Sequence, residues 1–155
     1  MKMGKGADKK AVLSVLVVMI ALATVNVARA IYDTDIKSGT YTQATAYISG
    51  TYSGGKVYGA SGYLRGTVTQ NLPDEGLFDW YYYSWTDDSG YHEVNDLSWD
   101  PSKDQVGESL TDYDDIPSPV YSAGMGGQAG HYYQIGSTIY ATAGTGEVYA
   151  GIPNS

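Results

Sequence analysis

Five aromatic rings crowd the segment Trp80-Tyr81-Tyr82-Tyr83-Ser84-Trp85. In an extended chain successive side chains point to opposite sides. Trp80, Tyr82 and Ser84 then face one way, and Tyr81, Tyr83 and Trp85 the other. Together with Trp99 the rings would make a flat platform. Sugars stack their C–H faces on such rings, acidic neighbours accept hydroxyl hydrogens, and exposed apolar patches mark binding surfaces. Trp80, Tyr82, Trp85 and Trp99 are therefore the candidate ligand-binding residues. The plainer alternative is that one face of this strand packs the core and a loop covers the other. The scarcity of large aliphatic residues favours that alternative.

The carboxylates fall into two groups. Asp87, Asp88 and Glu93 flank a turn, and Asp112, Asp114 and Asp115 lie in one short stretch with Asp104 and Glu108 nearby. Calcium takes several oxygen ligands from acidic loops, so Asp112, Asp114 and Asp115 are the candidate metal ligands and calcium is the one cofactor considered. The EF-hand spacing is absent, and a solvated acidic loop is the plainer reading. A carboxylate pair can run glycoside hydrolysis, with Asp79 or Glu93 beside the tryptophans as the choice. So acidic a chain supplies such pairs by chance. His92 and His131 are the only histidines and are not at a local metal-ligand spacing. No G-x-S-x-G, H-E-x-x-H or phosphate loop appears. No catalytic residue is assigned, and the chain is expected not to be an enzyme.

Strands must position these residues. Tyr41 to Ile48 alternates Tyr, Gln, Thr and Tyr with Thr, Ala, Ala and Ile, the period of a strand. Ser53-Gly54-Gly55 is a turn signal. A second strand follows from Val57 to Thr69, with Tyr58, Ala60, Gly62, Leu64, Gly66 and Val68 on one face and glycines that mark a bulge or a close approach. Trp80–Thr86 and Tyr91–Val94 read as a hairpin around Asp87-Asp88-Ser89-Gly90. Trp99–Asp104 reads as a loop, Ser109–Asp115 as a loop or irregular turn, and Pro117 to Pro119 as an extended edge segment. Gly124, Gly126, Gly127 and Gly130 read as a flexible stretch. Ile135 to Ala143 alternates again, Thr145-Gly146 turns the chain, and Glu147–Ile152 is the last strand. Helical periodicity is absent after residue 30. The expected fold is all-β, an antiparallel sandwich or barrel of short strands with Gly-rich turns. It forms one domain over residues 31–155, with an acidic, aromatic-rich centre at about 71–119.

Residues 1–30 read as a helical secretory signal. Lys2, Lys5, Lys9 and Lys10 precede an apolar run from Ala11 to Ala23, and Ala28-Arg29-Ala30 supplies small residues for cleavage before Ile31. The alternative is a retained anchor, although the run is short of the roughly 20 apolar residues that span a bilayer. The absence of cysteine favours a bacterial or archaeal exported protein.

Residues 31–155 carry four basic against sixteen acidic residues, a formal charge of −12. That argues against nucleic acid, which needs cationic residues facing phosphates, and against anionic membranes after cleavage. All 16 tyrosines lie in this part. Tyrosine is accordingly expected to fill much of the core, since a domain must bury apolar area to offset chain entropy. The leading functional expectation is a secreted, non-catalytic structural or surface-interaction protein that self-assembles by edge pairing, its partners being itself or extracellular surface components. The first alternative is a carbohydrate-binding module, calcium-assisted or not. The second is a small secreted enzyme or antibacterial toxin.

Overall fold

The computed structural model describes residues 27–73 and 76–153. The basic and apolar parts of the expected signal lie outside the described residues. Nine strands follow: β1 (Arg29–Ser38), β2 (Thr42–Ser53), β3 (Lys56–Val68), β4 (Gly76–Asp87), β5 (Gly90–Asp100), β6 (Ser109–Asp115), β7 (Ser122–Ile135), β8 (Thr138–Ala143) and β9 (Val148–Ile152). Cleavage before Ile31 would start the mature chain at the third residue of β1.

The strands form two antiparallel sheets. Sheet A has the order β1-β2-β3-β6; sheet B has β5-β4-β7-β8, with β9 also pairing β7. All strand pairs are antiparallel, as the expected fold class requires. Turn chemistry fixes the hairpins. Gly54 and Gly55 sit at φ 58° and 81° between paired Ser53 and Lys56, the left-handed pair that a two-residue turn matched to strand twist demands. Asp88-Ser89 closes the β4–β5 hairpin between paired Asp87 and Gly90.

The core lies between the sheets. Ala44, Ala46, Ile48, Leu64, Met125, Ala129, Val148 and Ala150 are fully enclosed, and burying Ile48 or Leu64 contributes about 1.5–3 kcal/mol each. Tyrosine does not fill this space. Tyr52, Tyr81 and Tyr83 only border it, while Tyr82 and Tyr132 are buried outside the main cluster. Alanines and glycines let the two sheets approach closely, and the rings are left to the outer faces.

Carboxylates stitch both seams of the sandwich. Asp33 accepts N–H groups from Thr34 and Gly151, each at 2.9 Å. Asp35 accepts from Ile36 at 2.9 Å and Tyr149 at 3.2 Å. Each side chain thus takes one donor from β1 and one from β9, in place of the backbone ladder these strands lack. At the other seam, Ser98 on β5 donates to Asp112 on β6 at 2.7 Å.

Several sequence expectations need correction. β1 was not anticipated beyond its place at the start of the domain. Trp99 and Asp100 belong to β5, and Ser109–Asp115 is strand β6 rather than a loop. Its inward residues are Leu110, Asp112 and Asp114, so the apolar alternation that marks a strand stops after one residue. Gly124 to Gly130 is the middle of β7, not a flexible stretch. Ile135 to Ala143 is broken by a turn at Gly136, φ 63°, which ends β7 and starts β8. A bulge opposite Gly50, where the register shifts and Gly59 adopts φ 56°, flips the parity of β3. Val57 and Ala60 point inward and Tyr58 outward. Val120, after Pro119, bridges to Val57 through N–H···O bonds of 2.7 and 3.0 Å.

Candidate functional site

The β4–β5 hairpin places the aromatic cluster. Trp80 and Tyr82 pair with Leu97 and Asn95, and Phe78 with Trp99, so Trp80, Tyr82 and Trp99 share the outer face of sheet B. Trp85 is on the opposite face with Tyr81 and Tyr83, against the margin of the core. The four candidate rings are therefore split three and one. Trp99 is 46 % exposed and Tyr82 only 9 %.

Tyr82 is buried because its ring lies over glycine. A Cβ on Gly126 would stand 2.5 Å from Tyr82 Cζ, and one on Gly124 would stand 2.3 Å from the Tyr149 hydroxyl. Tyr82 stacks on Tyr149 at 6.3 Å and tilts against Trp80 at 5.6 Å. Its hydroxyl donates to Glu147 at 2.7 Å. Burial, then that hydrogen bond, pushes the Tyr82 phenol above its ordinary range. Beside it the Glu93 carboxylate accepts from the Tyr91 hydroxyl at 2.6 Å and from the Asn95 side-chain amide at 3.0 Å. Glu93 is held below the usual carboxylate range, chiefly by the Tyr91 hydroxyl.

At the hairpin tip Asp87 gathers donors. Its Oδ1 accepts from the Ser89 N–H at 2.8 Å and the Ser89 hydroxyl at 2.6 Å, and lies 3.1 Å from His92 Nε2; its Oδ2 accepts from Trp85 Nε1 at 3.3 Å. The Ser89 hydroxyl leads in holding Asp87 well below the usual range. The His92 ring stacks on Trp85 at 4.9 Å. Serine, histidine and aspartate thus meet, but Ser89 Oγ lies 2.9 Å from the same Nε2 that faces Asp87. A proton relay needs the acid and the hydroxyl on different ring nitrogens. This cluster locks the turn.

The other face that can bind is on sheet A, and sequence reasoning missed it. Tyr32, Tyr47, Tyr63 and Tyr113, one from each strand, form a continuous row on its outer side. Tyr32–Tyr47 centroids are 6.5 Å apart, Tyr47–Tyr63 5.3 Å and Tyr63–Tyr113 5.6 Å. The first two pairs are stacked at 22°, while Tyr113 tilts 59° from Tyr63. The end rings are the most open, Tyr32 at 73 % and Tyr113 at 68 %. Arg65 lies 5.0 Å over Tyr63 and donates to Thr111 at 3.1 Å. On the far side of the row a shallow groove of about 300 Å³ is lined by Tyr47, Ser61, Tyr63, Tyr113 and Asp115. The available signal was the outward half of each alternating strand, but alignment across strands depends on register, which no single strand reveals.

The carboxylate candidates do not converge. On β6, Asp112 and Asp114 pair with inward Leu64 and Gly62, whereas Asp115 pairs with outward Ser61. Among the described residues no group of three His, Cys, Asp or Glu could hold a metal ion. Asp79 faces the core and Glu93, paired with Ser84, faces outward, so sheet B separates them. His92 and His131 pair with Trp85 and Leu77 at opposite ends of β4. Asp79 is fully buried. Its Oδ2 accepts the Gly66 N–H at 2.9 Å and its Oδ1 has no partner. Burial pushes its carboxyl up to about 8, opposed by the Gly66 N–H and assisted by the charge of Asp112.

Comparison with family models, with curated proteins and with solved structures yields no match to this chain.

Proposed function

We propose that the chain is an extracellular, non-catalytic surface-interaction protein that associates with further copies of itself through the outer face of sheet A. The observation that carries this reading is the four-ring row Tyr32–Tyr47–Tyr63–Tyr113, which runs from one edge of the sheet to the other. Its surroundings on the same face are mostly uncharged, Thr34, Gln43, Thr45, Ser49 and Thr67, with Arg65 over Tyr63 and Asp115 beside Tyr113 as the charged groups. An extended aromatic face of this kind loses little solvation and gains much contact on docking. The acidity of residues 31–155 keeps nucleic acid out of consideration. The test is sedimentation and negative-stain microscopy of residues 31–155. Oligomers or filaments are expected, and they are expected to dissociate in a Tyr47→Ser, Tyr63→Ser double variant that keeps the wild-type circular dichroism. A wild type that stays monomeric at millimolar concentration removes the proposal.

The groove favours a second reading, a glycan-binding module. Tyr113 is tilted out of the stack, so one ring face is free for a sugar, with Asp115 and Ser61 beside it for hydroxyls. Glycan-array binding abolished by Tyr113→Ala would favour this reading over self-association.

A further inference from the structure

We propose that the β5–β6 seam is a proton-operated latch in which Asp79 is held as a neutral acid, so that acidic surroundings close the sandwich and alkaline surroundings loosen it. The geometry comes first. Asp79 and Gly66 interlock across the two sheets, since any Cβ at Gly66 would fall 2.0 Å from Asp79 Oδ1. The carboxyl has no exposure to water, one N–H donor, and one oxygen without a partner. A buried carboxylate with a single neutral donor is costly, and the group protonates instead.

Among the described residues no cation pairs with Asp79 to offset a negative charge. From β4 its neighbour on the same face is Tyr81. β5 presents Asp96, Ser98 and Asp100, and β6 presents Leu110, Asp112 and Asp114. β3 presents the backbone of Gly66. β7 presents Ala129 and, two residues on, His131, whose ring packs edge-on to Tyr41 at 5.7 Å. Asp112 is also shifted upward, mainly by burial, and so is Asp114. Asp114 Oδ2 is a second buried oxygen without a partner. Among the described residues Ser98 to Asp112 is the side-chain bond that crosses the seam between β5 and β6. Ionising Asp79 places a charge behind that bond and repels Asp112.

The sign of the effect follows. The folded chain holds the Asp79 proton more tightly than the unfolded chain does. Its contribution is full below the unfolded value near 4 and is lost as pH rises towards about 8. Across that window the folding equilibrium constant falls by up to about tenfold per pH unit.

The experiment is thermal unfolding of wild type and Asp79→Asn from pH 5 to pH 9, with hydrogen exchange at both ends. The wild-type Tm is expected to drop over this range, with protection in β5 and β6 lost before that in β2 and β3. Asp79→Asn is expected to lose most of the slope and to be the more stable protein at pH 9. An unchanged slope in the variant, or equal protection of the seam at both pH values, overturns the latch. Should the variant fail to fold, carbon-13 carboxyl titration of the wild type decides. An Asp79 inflection near 8 supports the proposal, and one in the ordinary carboxylate range defeats it.

Discussion

Glycine at particular positions decides where the rings go. Gly126 and Gly124 are not flexible links but a floor on which Tyr82 and Tyr149 lie flat. The sequence displayed the glycines and the tyrosines plainly, yet not their apposition, because they come from three strands far apart in the chain. Replacing Gly126 with Ala should therefore cost about 1–3 kcal/mol, the usual penalty for forcing atoms into a filled site. Urea unfolding of the variant measures it, and a midpoint equal to wild type would show that the ring simply moves aside. Asp87 makes a different point. Its residue types suggest a serine–histidine–aspartate relay, and only the shared Nε2 contact reveals a locked turn.

At the scale of elements, alternation was legible wherever one face of a strand is apolar. β2 and the outer half of the β4–β5 hairpin were readable for that reason. β6 was not, since its inward face carries Asp112 and Asp114 at the seam, and β7 was hidden by glycines that give no period at all. β1 was overlooked because its inward residues include Asp33 and Asp35. Those two carboxylates have a structural task, joining β1 to β9 through the Tyr149 and Gly151 N–H groups while each also accepts the N–H of the next residue on β1. The Asp33→Ala, Asp35→Ala double variant leaves these N–H groups without side-chain acceptors and frees an edge that would pair with other chains. It should melt below wild type and aggregate faster on heating, read by light scattering during a thermal ramp. An unchanged melting curve would mean that water serves the donors equally well.

For the whole molecule, two sheets with small residues between them leave the aromatic surface outside. The tyrosine row on sheet A and the outward Trp80 and Trp99 on sheet B thus face different directions, and the acids divide between inner and outer sides. Because Asp115 points away from Asp112 and Asp114, calcium or a chelator should leave the Tm unchanged. A calcium-dependent rise would reveal a native-state ligand and reopen the acidic stretch as a metal site. By itself the sequence determined the all-β class, the hairpin turns at Gly54-Gly55 and Asp87–Gly90, and the acidic charge, since these follow from local periodicity, backbone freedom and composition. Only the tertiary structure decided that alanine and a few aliphatic residues rather than tyrosine fill the core, that four tyrosines line up across sheet A, and that Asp79 is sealed beside Gly66. Each of these depends on strand order and register, which long-range packing sets and no local stretch of residues encodes.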